Sequence, residues 1–82
     1  MVDTMITIIV YRKNFKNVEK VEKLVESYAN VRVSIQENSG WPDVPSNTSV
    51  VVGANGITFY TTENSPERVM NWLKSLLDKY KA

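Results

Sequence analysis

Residues 5–11 read MITIIVY, apolar at every position but Thr7. A strand with one face in water alternates apolar and polar residues, whereas a strand covered on both faces is apolar nearly throughout. The run is also rich in β-branched side chains, which suit a pleated surface better than a helix. A strand is therefore expected here, in the centre of a sheet. The next segments decide its neighbours. From Asn17, an N-cap residue by type, Val18, Val21, Leu24, Val25 and Tyr28 recur at three- and four-residue spacings, with Glu19, Lys20, Glu22, Lys23 and Glu26 between them. The spacing predicts an amphipathic helix of roughly 13 residues that stops near Asn30. VRVSIQ, residues 31–36, alternates cleanly and predicts a half-exposed edge strand. A strand–helix–strand crossover joins parallel strands, so the first two strands should run parallel.

Beyond residue 36 the periodicity is lost through ENSGWPDVPSN, residues 37–47, whose prolines, glycine and turn formers predict a loop. TSVVVGA and ITFYTT flank Asn55-Gly56, the strongest short-range hairpin signal, so these runs should be antiparallel strands joined by a type I′ turn. Ser65, Pro66 and Glu67 open a second helix with an apolar stripe of Val69, Met70, Leu73, Leu76, Leu77 and Tyr80. The expected fold is a single α/β domain over residues 1–82, with a four-stranded mixed sheet in the order 2-1-3-4 and two helices on one face. A ferredoxin-like fold would want one more strand after the last helix, and the sequence ends at DKYKA.

At this point the chain resembles the thioredoxin-like fold in its compact glutaredoxin form. The resemblance is carried by ITIIVYRKN leading into the first helix, by DVP ahead of the third strand, and by VVVGANGITFYTTENSPERVMNWL as hairpin and last helix. It covers nearly the whole chain and departs in three places. The cysteine motif that would fall near Phe15 to Val18 is absent. NSGWPDVPSN stands where the family places a middle helix. Pro45, the counterpart of the family's cis-proline, lies several residues further from its strand. The resemblance implies thiol–disulfide exchange, which needs a thiolate to attack sulfur, and the chain has no cysteine.

Composition narrows the remaining functions. Ten basic against nine acidic residues give a net charge of +1, so no global field draws the chain to nucleic acid or membrane. Without histidine it also lacks the commonest metal ligand and the usual general base near neutral pH. The carboxylates fall on exposed helix faces or in loops. No enzymatic site, metal site or cofactor is expected. A non-thiol activity on a small thiol peptide such as glutathione is the one enzymatic reading left open. No apolar run approaches the roughly 20 residues of a membrane span, and Asp3 stands where a signal peptide carries basic charge. A soluble cytoplasmic protein is expected, in which the sequon Asn47-Thr48-Ser49 goes unglycosylated.

Two places remain where recognition could occur. Arg12, Lys13 and Lys16 crowd the start of the first helix, where free N–H groups and the helix dipole favour an anion, although basic residues at a solvated turn are common without one. Tyr11, Phe15 and Tyr60 near them would allow stacking on single-stranded nucleic acid, against a charge balance that does not attract it. The other place is the sheet face opposite the helices. Ile9, Tyr11 and Val51 should line it, with Trp41 and Val44 of the loop either folding over it or sharing it with another protein or a second copy. Trp72, beside the core stripe of the last helix, reads as core edge. The expectation is a non-catalytic, cysteine-free protein-interaction module whose partner is another protein or, as a homodimer, a second copy of itself; the alternative is an anion or nucleic-acid binder built on Arg12, Lys13 and Lys16.

Overall fold

The computed structural model describes residues 5–37 and 44–80. The elements run in the order β1 (Ile6–Tyr11), α1 (Val18–Val25), β2 (Val31–Gln36), β3 (Val50–Ala54), β4 (Ile57–Thr61) and α2 (Pro66–Lys79). The four strands form one sheet in the order β2-β1-β3-β4. β1 pairs in parallel with β2, Ile6 opposite Val31, and antiparallel with β3, Ile9 opposite Val51. The apolar run thus lies between two neighbours, as its two-faced hydrophobicity requires.

Alternation along β1 and β3 sends Ile6, Ile8, Val10, Val50, Val52 and Ala54 to one face, where they join Val21 of α1 and Val69, Leu73 and Leu77 of α2 in the main core. Leu24, Val25, Tyr28, Met70, Trp72, Leu76 and Tyr80 pack around it, half-buried, together with Val31, Val33 and Ile35 of β2. Both helices therefore cover the same face of the sheet. The β3–β4 hairpin turns through Asn55 (φ 57°) and Gly56 (φ 80°), two consecutive left-handed residues, which is the signature of a type I′ turn.

Two details differ from the expectation. α1 closes at Val25, well before Asn30. The amides of Glu26, Ser27 and Tyr28 donate to the carbonyls of Lys23, Leu24 and Val25, so the last turn tightens to three-residue spacing while Tyr28 still reaches the core. Asn17 and Ser65 stand at the N-cap positions, but neither side chain makes a capping bond. Ahead of α2, Glu63 Oε2 accepts from the Ser65 amide at 3.2 Å, and its Oε1 pairs with Arg68 at 3.5 Å.

Candidate functional site

The corner between β1 and α1 is built from backbone bonds that fold the chain onto itself. The amide of Tyr11 donates to the Ser49 carbonyl, Arg12 to Gln36 and Lys13 to Glu37, at 2.7–3.0 Å. Asn14 and Phe15 both donate to the Tyr11 carbonyl, closing a tight turn. That turn drives the Phe15 ring into the main core, where it is fully buried. Asn14 points the other way, and its Nδ2 donates to the carbonyls of Ser46 (3.0 Å) and Thr48 (2.9 Å). One amide side chain thereby clamps the segment ahead of β3 onto the end of β1.

This geometry bears on the basic trio. Arg12 Nη1 lies 3.1 Å from Glu37 Oε2 in an exposed ion pair, and Lys13 and Lys16 are exposed. The amides of residues 12–15 are engaged within the chain. These engaged amides lie ahead of α1 and are not those of its first turn, so at the turn itself an anion would meet the two lysine ammonium groups.

On the helix-free face, Ile9, Tyr11, Val44 and Val51 come together in a second, smaller cluster, each buried within the chain. Val44 packs against the strand residues, and Trp41 lies outside the described residues. Pro45 is exposed and the Val44–Pro45 peptide is trans. At this cluster, the hydroxyls of Tyr11, Thr48 and Ser49 are buried without a hydrogen-bond partner among the described residues.

The same face opens toward the hairpin. Met5, Thr7, Ile9, Gly53, Ile57 and Thr58 contribute to a shallow depression with no charged residue in its lining among the described residues. Met5 and Ile57 are 56% and 51% exposed, and Tyr60 further along β4 is 46% exposed. A side chain built at Gly53 would meet nothing within 4 Å, so the depression is open at its middle. β4 itself ends the sheet and carries ITFYT, a charge-free edge. The opposite edge, β2, exposes Arg32 and ends beside the Arg12–Glu37 pair. Sequence reasoning missed this end of the face, although the uncharged strand was a visible signal; Asn14 carried none, because its partners lie 32 and 34 residues away.

Among the described residues no cluster of three or more acidic, histidine or cysteine side chains could hold a metal ion, and no helix is long and apolar enough to cross a membrane. Comparison with protein-family models, with curated proteins and with solved structures finds no match.

Proposed function

We propose that the chain is a cysteine-free, thioredoxin-like protein-interaction module that works by contact and not by chemistry. The sheet order, the parallel β1–β2 pair and the two helices on one face support the thioredoxin-like assignment. At the corner where that family carries out thiol chemistry, this chain has Asn14 clamping a loop and Phe15 filling the core. A scaffold can keep its architecture while its site changes use, so the resemblance bears on fold and leaves activity to the surface.

The observation that carries the reading is the hairpin end, where among the described residues no charge lines the Gly53 depression and Met5 and Ile57 are exposed, next to the uncharged strand β4. Exposed apolar side chains beside an uncharged sheet edge mark a place where protein meets protein. A second copy of the chain is the simplest partner. Ile57→Asp tests the reading, because Ile57 belongs both to the depression and to the edge and is half-exposed, so the substitution should leave the folded state intact. Light scattering should show concentration-dependent association of the parent chain and its loss in Ile57→Asp, with unchanged circular dichroism. Association indifferent to this substitution would place the contact surface elsewhere.

A further inference from the structure

We infer that the partner is a second copy held by its own edge strand: β4 pairs antiparallel with β4 about a twofold axis at Phe59, joining two four-stranded sheets into one of eight strands. This rests on the protein-binding reading above and names its geometry.

The two edges of the sheet are not alike. An unpaired edge is a template for another strand, and chains that stay single guard it with charge, proline or a bulge. β2 has such a guard in exposed Arg32 and in the Arg12–Glu37 pair at its end. β4 has none over its five residues, Ile57–Thr61, and exposes Ile57, Thr58 and Tyr60.

The strand is also complementary to itself. Antiparallel pairing centred on Phe59 sets Ile57 opposite the partner's Thr61 and Thr58 opposite the partner's Tyr60, so every facing pair is apolar or hydroxyl-bearing and no charge opposes its like. Acidic Glu63 would lie beyond the strand, at the level of the partner's Asn55, in the polar turn. A twofold axis normal to the sheet keeps both helix layers on one side. Phe59, half-buried against the main core, then meets its counterpart on that side as an aromatic cross-strand pair. On the other side the partner's Tyr60 comes to Thr58, which is paired with Gly53 and so borders the open depression. A peptide of another protein could add one strand here, but the Phe59 pair on one side and Tyr60 beside the depression on the other favour the second copy.

The register can be tested by charge. Thr58→Lys with Tyr60→Lys places like charges opposite each other twice across the axis, whereas Thr58→Lys with Tyr60→Glu places opposite charges there. Sedimentation of the full chain over a wide range of concentration should show a dimer for the parent. The double-lysine variant should weaken it by roughly a hundredfold or more, and the lysine–glutamate variant should restore it. Both variants change exposed positions, and thermal melting checks that they fold. A dimer that survives the double-lysine variant but not Ile57→Asp overturns the strand pairing and leaves the interaction module standing. A dimer that the lysine–glutamate variant fails to restore overturns the Phe59-centred register. A parent chain that stays monomeric throughout overturns self-association altogether.

Discussion

Asn14 sets two carbonyls of the 44–49 segment against the end of β1, and among the described residues its side chain bridges the two loops of this corner by hydrogen bonds. Asn14→Ala should cost about 1–3 kcal/mol, since it removes two bonds and leaves acceptors without their donor, one of them part-buried. Urea titration measures it, and a loss too small to resolve would mean the clamp is ornamental. The buried hydroxyls next to it act in the opposite direction. Tyr11→Phe removes a buried phenolic group that has no partner, so stability should rise by about 1 kcal/mol. A drop on calorimetry would show that the hydroxyl has a partner after all, such as an enclosed water. For the anion-binding alternative, Lys13→Gln with Lys16→Gln is the discriminating change. If the corner binds phosphate, affinity and its salt dependence should both fall while the melting temperature holds, because both side chains are exposed. Phosphate titrations that coincide for parent and variant would return the pair to ordinary solvated surface.

Among the elements, the sheet was legible because its signals are local. The two-faced apolar run of β1, the alternation of β2 and the Asn55-Gly56 turn each state a position or a pairing within a few residues of chain. The end of α1 was not, since the apolar stripe runs on through Tyr28 after the helical hydrogen bonds have tightened into turns. Its register there is set by another element: the Tyr28 hydroxyl donates to Asp78 Oδ1 of α2 at 2.6 Å. That bond, then partial burial and the nearby negative charge, raises the Tyr28 pKa above its ordinary value of 10.0. The neutral phenol is thus favoured in the folded state, so its contribution to stability is complete below pH 10 and is lost as pH climbs through the raised value. Tyr28→Phe should flatten that alkaline limb in a pH series of unfolding midpoints. An unchanged limb would separate the link between α1 and α2 from the chain's stability. The corner near Asn14 stayed hidden in the sequence for the complementary reason, as its contacts join residues that no periodicity relates.

At the level of the whole molecule, one layer of two helices on one sheet face leaves the main core dependent on a few side chains. Leu73, fully buried between sheet and helices, should cost about 2–5 kcal/mol when changed to Ala, a large share of what so small a domain can hold. A loss below about 1 kcal/mol would contradict the packing of α2. The position of β1 has a further consequence, in time rather than in space. The strand made first of the four is also one that needs two neighbours, and β3, which completes it, is synthesised roughly forty residues later. At about 5–20 residues per second, the apolar run waits on the order of 2–8 s for β3, and for more than half of that time β2 is not complete either. Nascent chains of this protein should therefore depend on holding factors until β3 emerges, and should misassociate through residues 6–11 where translation pauses before it.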